Sequence, residues 1–335
     1  MRYPGLLPAL LAAAACAAPV AARAQAPARD LPPVTIAAKA DDKLVEKSYR
    51  RMLAGMDLFE SRRALAPDAT LRFRLYPREP GTDVQGATVD VIGTQTMFAV
   101  DVAPDQTFTL PRNPAALQEN AAVVANQRRA SMTWRADIRT PGLPANVRRL
   151  GDLRLECEVG MAAGLVSEPR SFMSRIASAL LDTPDYCRRA EPHYLFFAER
   201  PVFSVTLVDG ERRAVLPVGR LYAAASAKPD LRDELPLCDC RLLVDRTYYL
   251  PLDDAGWSND TRVEFDYFDD NPQAVELPTQ LGEPTVVRFD SGWQVRVWRA
   301  RPSAKDVEPA EFVALIDPQG VARKARVRQE IRLRK

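Results

Sequence analysis

From residue 41 the apolar positions fall at three- and four-residue intervals. Leu44, Val45, Tyr49, Met52, Leu53, Met56 and Phe59 follow Asp41, an acidic start suited to a helix N-terminus. The spacing predicts an amphipathic helix within residues 41–66, whose stripe packs on the domain behind it or docks a partner. Beyond Pro67-Asp68 the period shortens to two. Leu71-Arg72-Phe73-Arg74-Leu75 alternates, and residues 87–92, 97–102, 107–110, 131–138 and 150–159 read as further strands, separated by turns such as Ala103-Pro104-Asp105. So many short strands within residues 67–165 predict a β-sandwich module.

A second helix is expected where Phe172, Met173, Ile176, Ala177, Leu180 and Leu181 share a face behind Ser167-Glu168-Pro169, and Thr183-Pro184 ends it. This helical junction covers residues 166–192. Strand patterns then resume at 202–208, 214–218, 240–244, 247–250 and 262–268, giving a second sandwich module over residues 193–272. Residues 273–335 form a C-terminal β segment, with strands at 286–289, 293–298 and 311–316 and a turn at Asp317-Pro318-Gln319-Gly320. The fold class is therefore mainly β: two β-sandwich modules of immunoglobulin or transthyretin type, two short helices and a C-terminal β segment.

The two modules share a residue pattern. Asp105-Gln106-Thr107-Phe108-Thr109-Leu110-Pro111 and Asp245-Arg246-Thr247-Tyr248-Tyr249-Leu250-Pro251 lie 140 residues apart and have Asp, Thr, Leu and Pro in common, with Phe108 facing Tyr248. A strand followed by Asp, a polar residue, an aromatic and Leu-Pro resembles the hairpin of transthyretin-like, carboxypeptidase-regulatory-like sandwich modules. Such modules usually carry Gly where this chain has Gln106-Thr107 and Arg246-Thr247. The resemblance implies a β-sandwich of secreted or envelope proteins and transfers no catalytic residue.

The N-terminal segment sets the compartment. Arg2 precedes an apolar run over residues 6–22, and Ala22-Arg23-Ala24 ends it as a small-x-small cleavage site, so residues 1–24 read as a secretory signal peptide with Gln25 as the first mature residue. Ala13-Ala14-Ala15-Cys16 is a degenerate lipobox, so a lipid anchor at Cys16 is the rival processing. Residues 25–40, rich in Ala and Pro, read as a flexible leader. A periplasmic or secreted protein is expected, in a space without ready ATP or NAD(P)H. No later stretch is apolar over the length that a transmembrane helix needs. Once Arg2 and Arg23 are removed, the 46 basic residues of the full chain fall level with its 44 acidic ones, which argues against nucleic acid as a partner. Prolines outnumber glycines, 28 to 15, in keeping with short strands and turns.

Four cysteines remain after cleavage: Cys157, Cys187, Cys238 and Cys240. In an oxidising compartment they are expected to form two disulfides, with Cys238 and Cys240 each reaching one of Cys157 and Cys187, because a bridge between i and i+2 of one strand is strained. His193 is the chain's single histidine, which excludes His-pair metal sites and leaves few routes to an activated nucleophile. The densest acidic run is Asp253, Asp254, Asp260, Glu264, Asp266, Asp269 and Asp270, interleaved with Trp257, Phe265, Tyr267 and Phe268. Asp253, Asp254, Asn259 and Asp260 are candidate calcium ligands, although the spacing fits no defined calcium loop. A carboxylate pair for glycoside hydrolysis is the catalytic alternative. No cofactor motif stands in a convincing context.

From Lys324 to the C-terminus the alternation is strict. Lys324, Arg326, Arg328, Arg332 and Arg334 share one face, and Ala325, Val327, Ile331 and Leu333 the other. This predicts a half-buried strand whose cationic outer row either blunts a sheet edge or meets an anionic partner such as a lipid surface or polysaccharide. Two functional readings follow. The first is a non-catalytic envelope protein that binds or scaffolds a protein, polysaccharide or lipid surface; the second is a hydrolase with carboxylates between Asp253 and Asp270, assisted by His193.

Overall fold

The computed structural model describes residues 43–78, 81–166, 183–189, 194–224, 243–270, 273–279, 281–301, 307–329 and 331–332. In chain order the regular elements are β1 (Leu44–Ser48), α1 (Tyr49–Ser61), β2 (Thr70–Pro77), β3 (Val89–Ile92), β4 (Met97–Val100), β5 (Thr107–Phe108), α2 (Pro114–Gln118), β6 (Ala122–Arg128), β7 (Met132–Arg139), β8 (Val147–Arg149) and α3 (Leu150–Ala162). There follow β9 (Leu195–Phe197), β10 (Val202–Asp209), β11 (Arg212–Val215), β12 (Thr247–Tyr249), β13 (Arg262–Tyr267), β14 (Thr285–Arg288), β15 (Gln294–Arg299), β16 (Val307–Glu308), β17 (Glu311–Ile316), β18 (Ala322–Arg328) and β19 (Ile331–Arg332). The fold is mainly β, and the described strand pairs are antiparallel.

In the first half, the sheets β1-β6-β3-β4 and β5-β2-β7 contribute to one apolar cluster. Val45, Val89, Val91 and Val123 come from one sheet, and Phe73, Phe108, Trp134 and Ile138 from the other. Tyr49, Met52, Leu53 and Phe59 of α1 complete it, at the positions the helical spacing marks. The helix starts later than the sequence predicts. Ser48 caps it by accepting from the Arg51 N–H, and Leu44–Ser48 is instead a strand paired with β6. Leu44 and Val45 satisfy either period, and the open edge of β6 selects the extended form.

The largest correction is α3. Residues 150–159 alternate apolar and polar and so predict a strand, yet they form a helix that is buried nearly all round. Leu150, Leu153, Cys157 and Met161 enter a second apolar cluster, while Leu155, Val159 and Ala163 enter the first. An element covered on every side has no solvent face to record its period. Its charges are each engaged: Asp152 accepts from the Thr140 N–H and hydroxyl, and Glu156 from Arg148 at 2.6 Å. Beside Glu156, Asp137 takes Arg74 at 2.9 Å and Arg139 at 2.8 Å. Burial alone would raise the Asp137 pKa, but Arg148, Arg139 and Arg74 more than offset it and hold the carboxyl below its usual range.

The second cluster spans the sheet β11-β10-β13-β8, the pair β12-β9 and the inner face of β14-β15-β17-β18. Here the terminal strand has the opposite phase to the predicted one. Val327 is 66% exposed, whereas Lys324 and Arg328 are buried. Arg328 meets Glu311 of β17 at 3.4 Å, and Lys324 pairs with Asp266 of β13. Arg326 reaches the Leu216 carbonyl and lies over the Phe203 ring. Glu311 is itself buried and holds Arg299 and the Val218 N–H, so the sheet interior supplies the anion that draws the cationic face inward. Arg326 and Arg328 therefore do not form the outer row expected for an anionic partner.

A disulfide joins Cys157 of α3 to Cys187 in the short 3-10 turn Pro184–Arg188, with Cα atoms 5.9 Å apart. This overturns the expected cross-pairing of those two cysteines with Cys238 and Cys240. The predicted signal peptide with Cys16, the leader, the helix over residues 172–181, His193, Cys238, Cys240 and Arg334 lie outside the described residues, as does the side chain of Arg332.

Candidate functional site

Helix α3 also builds the site. Its Arg154 and Glu158, four residues apart, share one face and look into a cleft of about 420 Å³. Arg62 closes the cleft from the C-terminus of α1, Arg188 from the turn bridged to α3, and residues 252–259 form the far wall. Close packing at the start of α3 fixes this arrangement. A Cβ on Gly151 would lie 2.2 Å from the Leu65 carbonyl, so only glycine lets the helix meet the segment after α1. The N–H groups of Leu150 and Gly151 donate to the carbonyls of Thr261 and Asn259, which ties the 252–259 loop to the helix N-terminus.

The loop wraps the Arg154 guanidinium. Nε donates to Leu252 O at 3.0 Å, Nη1 to Asn259 Oδ1 at 2.7 Å, and Nη2 to Asp254 O and Trp257 O at 3.0 Å each. All four acceptors are neutral, and among the described residues no carboxylate lies within ion-pair distance of Arg154. Burial lowers its pKa, against the pull of the Asp254 and Asp253 charges. Opposite, Glu158 is 4% exposed and receives two guanidinium groups, Arg62 at 3.0 Å and Arg188 at 3.2 Å. These two cations stay 40% and 52% exposed at the cleft rim. Three guanidinium groups thus line the cleft against Glu158 and the exposed carboxylate of Asp253. The arrangement can hold an oxyanion through planar, directed donors.

The predicted calcium ligands do not converge. Asp253 lies on the rim, Asp254 Oδ1 accepts from the Gly256 N–H, Asn259 is taken by Arg154, and Asp260 pairs with Arg149 on another side. Among the described residues no group of three acidic, histidine or cysteine side chains is placed to hold a metal ion. The rest of the acidic run is dispersed over separate cations. Glu264 meets Arg213 and Arg262, Asp266 meets Lys324, and Asp269 and Asp270 share Arg200. Among the described residues that line the cleft, Ser258 carries the one hydroxyl.

Sequence reasoning did not find Arg62, Arg154, Glu158 or Arg188. The i, i+4 relation of Arg154 and Glu158 is a helical signal, and it vanishes when residues 150–159 are assigned a period of two. Trp257, inside the acidic run, was the visible marker: its ring is buried in the cleft wall under the Arg212 guanidinium, 3.6 Å from the ring centroid. No protein-family model matches the chain, and no curated protein or solved structure is similar to it.

Proposed function

We propose that this chain is an exported, non-catalytic binding protein of the bacterial envelope, and that its arginine cleft takes the carboxylate or phosphate group of a small ligand. The observation that carries the reading is the imbalance at Glu158. Two half-exposed guanidinium groups share that one buried carboxylate, Arg188 also meeting the exposed Asp185 at 3.5 Å, while Arg154 has neutral acceptors alone. Guanidinium groups gathered in a cleft partly screened from water attract an anionic group and orient it by directed N–H donors. Export rests on the N-terminal pattern and agrees with the Cys157–Cys187 bridge. The dispersal of the acidic run over separate ion pairs favours binding over carboxylate-driven hydrolysis.

Thermal unfolding in the presence of inorganic phosphate, sulfate, glucuronate or glucose, at matched ionic strength, tests the reading. The anions should raise Tm with concentration and glucose should not, since a ligand that binds only the folded state stabilises it by mass action. Arg188→Gln should weaken the effect without unfolding the chain, because Arg62 still covers Glu158. Equal behaviour of all four solutes, or turnover of a chromogenic ester or glycoside, would contradict it.

A further inference from the structure

The cleft lined by Arg62, Arg154 and Arg188 carries a charge of the other sign on its far wall. Asp253 stands there exposed, and among the described residues its carboxylate makes no ion pair and no hydrogen bond. Its charge acts on Arg154 without closing an ion pair. The other acid of the cleft is already engaged, since Glu158 is buried and covered by Arg62 and Arg188. Among the described lining residues, Asp253 is therefore the one free carboxylate.

The facing cations keep donors of their own. Arg62 gives Nε and Nη2 to Glu158 and, among the described residues, retains Nη1. Arg188 gives Nε and Nη2 to the same carboxylate and turns Nη1 toward Asp185 at 3.5 Å, a pair exposed on both sides and open to exchange. Leu65, Leu252 and Trp257 add apolar lining. At about 420 Å³ the cleft is at the small end of ligand pockets, which span roughly 300–1,000 Å³. A simple anion answers the cations and leaves Asp253 facing it. A ligand that carries both charges answers both walls.

Resting on the reading of this cleft as an oxyanion site, we propose that its ligand is a small zwitterion, an α-amino acid with an apolar side chain. The carboxylate meets Arg62 and Arg188, the ammonium meets Asp253, and the side chain lies against Leu65, Leu252 and Trp257. Guanidinium groups match a planar carboxylate, and an ammonium donates to a carboxylate in a charge-assisted bond. Charges of opposite sign on facing walls select for both groups in one molecule, because either half alone leaves one wall unanswered.

Calorimetric titration of the mature chain with leucine tests this, beside N-acetylleucine, which lacks the ammonium, leucinamide, which lacks the carboxylate, and inorganic phosphate, all at matched ionic strength. Leucine should bind saturably, and N-acetylleucine and leucinamide more weakly by about tenfold or more. Asp253→Asn, at an exposed position, should keep the wild-type Tm and bring leucine down to the affinity of N-acetylleucine. Arg188→Gln should weaken leucine and N-acetylleucine alike. N-acetylleucine binding as tightly as leucine, phosphate binding where leucine does not, or a leucine preference that survives Asp253→Asn would each overturn the zwitterion and leave the oxyanion reading standing. Leucinamide equal to leucine, or no binding of phosphate and of either carboxylate, would overturn both.

Discussion

Arg154 Nη1 donates to Asn259 Oδ1 at 2.7 Å, and the same guanidinium gathers the carbonyls of Leu252, Asp254 and Trp257. The loop whose acidic residues suggest a calcium site thus closes round a cation that the chain supplies itself. Arg154→Met should leave those acceptors without a charged donor and cost on the order of 3 kcal/mol of stability. Urea unfolding followed by tryptophan emission measures this, with a red shift expected as Trp257 loses its cover. Millimolar calcium should leave the wild-type midpoint unchanged. A wild-type midpoint in the variant would show that the wrapped guanidinium does not hold the loop.

Arg328 and Glu311 are each 3% exposed. Arg328→Gln should therefore destabilise the chain by about 2 kcal/mol, because Glu311 keeps Arg299 but loses its buried cation, whereas the paired replacement Arg328→Met with Glu311→Leu should cost less than Glu311→Leu alone, which strands the Arg328 charge as well as the Val218 N–H. Denaturant midpoints of the three variants decide. An outward cationic row would give the opposite result, with Arg328→Gln close to neutral.

Much of the sheet structure was legible because half-buried strands keep their period. Residues 71–75 alternate, 202–208 and 311–316 are short apolar runs, and the structure places the three in β2, β10 and β17. The turn at Asp317 was legible too, as Gly320 adopts a φ of +84° and Asp317 accepts from the Gln319 and Val321 amides. What failed was α3, a helix without a solvent face. α3 is covered by both clusters, so its alternation of Leu153, Leu155 and Cys157 with Arg154, Glu156 and Glu158 carries no information about exposure. The phase of β18 was misread for a related reason: a pattern rule weighs a cation against water and cannot see the buried Glu311 that receives it. The cleft is built on α3 and was hidden with it.

Glu119 ties the β3–β4 hairpin to the end of α2. It accepts from the Gln95 N–H, the Thr96 hydroxyl and the Thr96 N–H, and these bonds hold its pKa down to about 2. Since the folded value lies below the ordinary 4.5, the bonds contribute stability at higher pH that fades as pH falls from about 4.5 toward 2. A carboxyl titration by NMR should place the Glu119 midpoint near 2, and Glu119→Gln should remove the corresponding acid-induced loosening of the Gln95 and Thr96 amides. A midpoint near 4.5 would contradict the bonding.

Peptide mapping under non-reducing conditions should recover a Cys157–Cys187 linked pair. Replacing both with serine should lower stability by about 3 kcal/mol and free the turn that carries Arg188. Linked peptides joining Cys157 or Cys187 to Cys238 or Cys240 would contradict the pairing.

The oxyanion cleft is tested most directly by observing its three guanidinium groups. In a nitrogen-15 NMR titration of the mature chain with inorganic phosphate at low ionic strength, the Nε–H signals of Arg62, Arg154 and Arg188 should move together and saturate, while those of Arg63 and Arg112, paired at the surface with Glu60 and Asp57, follow only the bulk salt effect. Shifts no larger than those caused by sodium chloride, or saturation at other arginines alone, would contradict the assignment of this cleft as the binding site.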